Sequence, residues 1–110
     1  MERLRLVNEK PVFYDITMIP NINLSRFTSR NFENNSLFDV LRKNYQMEVK
    51  GGEQQMLAIL PDKKIQKYFE IGPHNPVIQL NRKFDTNRLN FFFYSQVFCN
   101  TDEYVLEGEI

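Results

Sequence analysis

Two arginines separated by one residue, Arg3-Leu4-Arg5, and a serine opening a helical stretch, Ser36-Leu37-Phe38, are the polar residues whose spacing could do chemistry. Positions i and i+2 of a strand emerge on one face, so Arg3 and Arg5 would hold two guanidiniums side by side. Such a pair repels itself unless a carboxylate or a ligand anion joins it. Asp15 is the internal candidate, and an exposed Arg–Asp pair contributes little to stability. Ser36 also has two roles open to it. It can cap a helix, and the free amides at that helix end also favour phosphate or carboxylate. If Arg3, Arg5 and Ser36 converge, two charge-assisted hydrogen bonds and the helix end supply at most about 8 kcal/mol gross. Association consumes much of that, so the cluster would anchor an anion and leave specificity to other contacts.

The remaining polar residues offer less. His74 lies in the turn-rich stretch Gly72-Pro73-His74-Asn75-Pro76, with no acid or nucleophile beside it. Cys99 is the only cysteine, so an internal disulfide is excluded and a zinc site has too few ligands. Lys63, Lys64 and Lys67 read as a solvated helix face. Phe91-Phe92-Phe93-Tyr94 could stack bases, but it has little basic interleaving; a strand buried on both faces, or an oligomer contact, fits it better. There is no glycine-rich phosphate loop, no metal-ligand spacing and no nucleophile–base pair. Neither a cofactor nor catalysis is expected.

These residues must be positioned by one domain. The chain has 110 residues, 42% of them hydrophobic and 14% aromatic, a globular composition with enough length for one core. Fourteen basic residues balance 14 acidic ones, and a domain that grips nucleic acid unaided usually carries a basic excess. A lone thiol, no membrane-length apolar run and no secretory leader place the chain in the cytoplasm.

Alternation predicts a strand over residues 2–8, a turn at Asn8-Glu9-Lys10, and a returning strand over 12–19 closed by Pro20. Residues 21–35 are polar and irregular, with room for a helical turn near Leu24–Phe27. Helical spacing of Leu37, Val40, Leu41 and Tyr45 predicts a helix over 36–45, capped by Asn35 or Ser36. Gly51-Gly52 predicts a bend or bulge between two strand segments within 47–60. Pro61-Asp62 begins a second short helix that runs through Phe69, with Ile65, Tyr68 and Phe69 inward and Gly72 well placed to end it. Strands follow over 76–84, 89–99 and 103–108. The order ββ-α-β-α-βββ, with helices on one side of an antiparallel sheet, is an α+β domain.

The order of motifs resembles a known family. Arg3-x-Arg5, Pro11, Asp15 five residues before Pro20, and Ser36-Leu37-Phe38 are similar to the UTRA domain, the effector-binding domain of GntR-type regulators of the HutC subfamily. Pro76-Val77-Ile78-x-Leu80-x-Arg82 and Tyr94-Ser95 followed by Asp102-x-Tyr104 resemble later segments of the same family. The resemblance spans nearly all of residues 1–110. It implies an antiparallel sheet flanked by helices, chorismate lyase-like in fold, a homodimer, and a pocket for a sugar phosphate or organic acid. It implies that Arg3, Arg5 and Ser36 hold the anionic group, that Asp15 contacts polar parts of the ligand, and that Phe38 and Tyr94 belong to the effector site. Phe38 stands where tyrosine is common, and Asn100 where arginine is common. No winged helix and no opening strand precede Arg3, so the resemblance implies the sensor portion of a repressor that meets DNA through a domain outside this sequence. A chorismate lyase-like enzyme acting on a small carboxylic acid and a ligand-free dimerisation module are the alternatives.

Overall fold

The structure, a computed structural model, describes residues 2–20, 37–102 and 105. It contains strands β1 (Glu2–Val7) and β2 (Lys10–Met18), helix α1 (Leu37–Tyr45), strand β3 (Val49–Ile59), helix α2 (Lys63–Phe69), and strands β4 (Val77–Thr86) and β5 (Phe92–Cys99). The strands form one antiparallel five-stranded sheet in the order β1-β2-β5-β4-β3. The stretches 21–36, 103–104 and 106–108, with the expected Ser36 cap and most of a final strand, lie outside the described residues.

The β1–β2 connection is a two-residue turn in which Asn8 (φ 51) and Glu9 (φ 67) both adopt left-handed backbone. This geometry matches the twist of paired strands, and Asn tolerates it best among non-glycine residues. Within residues 47–60 there is one strand, β3, rather than two segments. The register of β3 on β4 slips between Val49 and Gly51, a bulge that absorbs the glycine pair. Gly52 has a positive φ of 155, and a Cβ there would come within 1.8 Å of the Lys83 carbonyl oxygen, so only glycine lets β3 close on β4.

The two helices lie on opposite faces of the sheet, not on one side as the sequence suggested. Alternation along β5 shows it. Phe93 and its β4 partner Phe84 pack with Leu41, Met47 and Phe91 under α1. Phe98 faces the other way and packs with Tyr14, Val77 and the α2 residues Ile65 and Phe69. A third cluster, Leu80, Val97 and Cys99, continues the α1 face across the sheet centre. Phe91-Phe92-Phe93-Tyr94 is likewise buried on one face only: Phe91 and Phe93 are buried, whereas Phe92 and Tyr94 are exposed.

Helix α2 opens on Asp62, whose side chain accepts a hydrogen bond from the Ile65 amide at 2.9 Å, in keeping with the Pro61-Asp62 start read from sequence. It ends at Glu70 in left-handed backbone (φ 57), not at Gly72. Removing the cap leaves an amide without its acceptor; Asp62→Ala is expected to cost about 1 kcal/mol in urea unfolding at unchanged m-value.

Strand β1 is tied to α2 by a small polar network. Tyr14 Oη donates to Glu2 Oε1 at 2.6 Å, and Lys64 Nζ donates to the same oxygen at 2.7 Å. Lys64 therefore does not belong to a purely solvated face. The hydrogen bonds from Lys64 and then Tyr14 hold the Glu2 carboxyl below its ordinary 4.5. Burial, then the bond to Glu2, raises the Tyr14 phenol, and the bond to Glu2 raises the Lys64 ammonium. A depressed carboxyl contributes stability that is present above its unfolded pKa and lost as pH falls through the folded one. The parent is therefore expected to have a higher Tm than Glu2→Gln at pH 7, with the two curves converging as pH falls through and below the ordinary carboxyl range.

Candidate functional site on the helix α1 face

The cross-strand register builds the α1 face row by row. Arg5 lies across from Phe13, which pairs with Cys99; Arg3 lies across from Asp15, which pairs with Val97 and through it Leu80. Thr17 pairs with Ser95, which pairs with Arg82, which pairs with Gln54. Cross-strand partners share a face, so Arg3, Arg5, Asp15, Thr17, Ser95 and Arg82 all stand on the side that carries α1.

Strand alternation thus brings together three of the residues expected from the sequence. The Arg5 Nε lies 2.8 Å from Asp15 Oδ2, and its Nη2 donates to Oδ1 at 3.0 Å. The Nε contact is an ion pair without hydrogen-bond alignment. The Arg5 guanidinium carbon stands 4.7 Å from the centre of the Phe13 ring. Arg3 is half-buried directly opposite Asp15. The internal Arg–Asp pair therefore forms, and it forms inside the face that would take an anion.

Phe38, on α1, meets the same face. Its ring stands edge-on to Phe84 at 5.1 Å and to Phe93 at 6.3 Å, with 43% of the residue exposed. The ring therefore packs on the core of this face while staying partly exposed. Tyr94 is the exception. It pairs with Met18 and Lys83 and projects from the opposite face, away from Arg3, Arg5 and Asp15. There it borders a groove of about 340 Å³ with Met18, Glu53, Gln55, Asn81 and Lys83. Arg82 and Ser95 also border that groove, but alternation sends their side chains to the α1 face.

Sequence reasoning gave no role to the side chains of Arg82, Thr17 and Ser95. Arg82 Nε is buried and has no hydrogen-bond partner among the described residues. Thr17 and Ser95 are buried hydroxyls, 7% and 9% exposed, in the row beside it. A signal for them was present: each sits at a core-facing position of its strand, Arg82 between Leu80 and Phe84, Ser95 between Phe93 and Val97. Cys99 lies buried in the row next to Asp15, where burial and then the Asp15 charge raise its thiol pKa while Arg5 and Arg82 oppose the rise. All three charges are thus felt at one point of this face. Cys99 is fully buried and packs with Leu80 and Val97.

Chemically, the arrangement has what holding an anion requires. It has guanidiniums, buried hydroxyls and an apolar floor of Leu80 and Val97, with no group of three or more metal-ligating side chains among the described residues. A match to the UTRA domain runs over residues 1–105. The chain belongs to the UTRA family. This family is the effector-binding regulatory domain expected from the motif order, and the sheet flanked by helices is its fold. No protein of curated function matches this UTRA domain by sequence.

Solved structures agree with the fold. A GntR-family transcriptional regulator from Enterococcus faecalis V583 superposes with a TM-score of 0.86 at 18% identity, covering 100% of this chain and 78% of that one. The ligand-binding domain of a putative GntR-family regulator from Bordetella bronchiseptica gives a TM-score of 0.87 at 15% identity, covering 99% and 70%. A putative transcriptional regulator from Streptomyces coelicolor gives 0.84 at 17%, covering 96% and 69%. Among the described residues no helix is long and apolar enough to cross a membrane.

Proposed function

We propose that this UTRA domain senses a small anionic metabolite, a sugar phosphate or an organic acid, on the α1 face of its sheet. In the cytoplasm, a homodimer of the regulator would convert occupancy of this face into a changed geometry of paired winged-helix domains. Arg3, Arg5 and Arg82 supply the charge, Asp15 sets it, Phe38 walls one side, and Ser36, at the start of α1 in sequence, is the expected helix-end donor.

The observation that carries this reading is the buried Arg82 Nε without a partner, on the same face as the Arg5–Asp15 pair. A buried donor left unsatisfied costs about 1–3 kcal/mol, and a ligand oxygen would remove that cost. The UTRA match over residues 1–105 favours sensing over the lyase alternative. Metabolite screening by thermal shift tests the reading. A ligand present at 100 times its Kd stabilises by about 2.7 kcal/mol, which at this chain length raises Tm by about 10 °C. A panel of sugar phosphates and carboxylic acids that leaves Tm unchanged would remove the basis of the proposal.

A further inference from the structure

The Arg5–Asp15 pair has a consequence for what the anion site accepts. Both Asp15 oxygens meet the Nε/Nη2 edge of Arg5, at 2.8 Å and 3.0 Å, and the Phe13 ring covers one face of the guanidinium. The Asp15 side chain is the more buried partner, 14% exposed against 42% for Arg5. Asp15 also stands directly across from Arg3 and one row from Arg82 in the register. In the register Asp15 thus stands beside all three arginine positions, and its carboxylate is ion-paired to Arg5.

An anion entering this face has two choices. It can stand beside the Asp15 carboxylate, where two like charges repel, or it can displace Asp15 from Arg5 and leave that carboxylate without its partner. Both choices weaken binding of a simple anion. We infer that Asp15 is a built-in competitor for Arg5 that sets the charge the site will accept, and that it disfavours a bare anion relative to one carrying a cationic group for the released carboxylate. This rests on the anion-site reading above and refines it: Asp15 becomes a specificity-determining residue rather than a plain contact.

Isothermal titration of the 110-residue chain with inorganic phosphate and with phosphoethanolamine tests the inference. Removing one negative charge about 6 Å from a bound anion, at an effective dielectric of about 40, is worth roughly a tenfold change in affinity. Asp15→Asn should therefore bind phosphate about tenfold more tightly than the parent. The gain should shrink in an Arg5→Ala background, because the competition is for Arg5. The unaltered chain should bind phosphoethanolamine more tightly than phosphate, and Asp15→Asn should lose that preference. The parent comparison stands even if the variant does not fold. Phosphate affinity that is equal or weaker in Asp15→Asn overturns the competitor role while leaving the anion site intact. A parent that prefers phosphate to phosphoethanolamine overturns it as well. If neither protein binds either compound, the anion site fails and the inference fails with it.

Discussion

Phe93→Ala should cost this domain about 3–5 kcal/mol, the range for deleting a large buried aromatic side chain. Phe93 is fully buried, and it joins the sheet to α1 through Leu41, Met47 and Phe91, with Phe84 at 5.0 Å and Phe38 at 6.3 Å between ring centres. These rings come from two strands and a helix, so no one element can move to fill the cavity. Domains of this size are stable by about 5–15 kcal/mol, so the loss removes about a fifth of the total or more. At about 4 °C per kcal/mol, Tm should fall by roughly 12–20 °C. Phe92→Ala is the matched control. Phe92 is 39% exposed on the other face, against Lys83 and Tyr94, and its loss should cost under about 1 kcal/mol. Calorimetry of both variants checks the contrast, and similar losses would mean that the burial pattern of β5 is wrong.

The second large effect concerns Arg82. If its buried Nε takes a ligand oxygen, Arg82→Ala removes a charge-assisted hydrogen bond worth about 1.5–3 kcal/mol, and affinity for an anionic effector should fall about 10- to 150-fold. Stability should move differently. Arg82 makes no described hydrogen bond or ion pair, so the ligand-free variant should keep its Tm or gain slightly. A purely structural arginine would show the reverse, a lowered Tm with ligand affinity preserved. Titration calorimetry beside a thermal melt of the ligand-free protein separates the two. The same trade appears at many sites where function keeps a polar group unsatisfied until its ligand arrives.

Much of the framework is legible in the residues themselves. The hairpin of β1 and β2 follows from alternating Leu and Arg before a polar turn, and α1 and α2 follow from their apolar spacing. Which side of the sheet each helix covers is not legible from a helix alone. Apolar periodicity reveals that a stripe is buried, but not against which face. That information resides in the partner strand: Phe93 takes α1 and Phe98 takes α2, five positions apart and therefore on opposite faces. The end of α2 misleads for a different reason. Gly72 is the residue best suited to left-handed backbone, yet Glu70 adopts it, with its amide bonded to the Gln66 carbonyl.

The site divides in the same way. Arg3 and Arg5 stand out because i, i+2 spacing on a strand is a local property. Their pairing with Asp15 needs the β1–β2 register, where a turn one residue longer would move Asp15 to another row. Arg82, Thr17 and Ser95 join them only through the non-local pairing of β2, β5 and β4. Tyr94 lies next to Ser95 in sequence and on the other side of the sheet in space, so adjacency in a motif does not imply convergence on a ligand. Of the two readings weighed from sequence for Arg5, the ion pair with Asp15 is formed, and the anion anchor is what the titrations test.

Chemical-shift mapping tests the location of the effector site most directly. A 15N-labelled sample is titrated with the metabolite that raises Tm most in the thermal screen. Shifts should concentrate at Arg3, Arg5, Asp15, Thr17, Arg82, Ser95 and the first turn of α1, and saturate together with one Kd. Shifts confined to the opposite groove, at Met18, Glu53, Lys83 and Tyr94, would contradict an effector site on the α1 face.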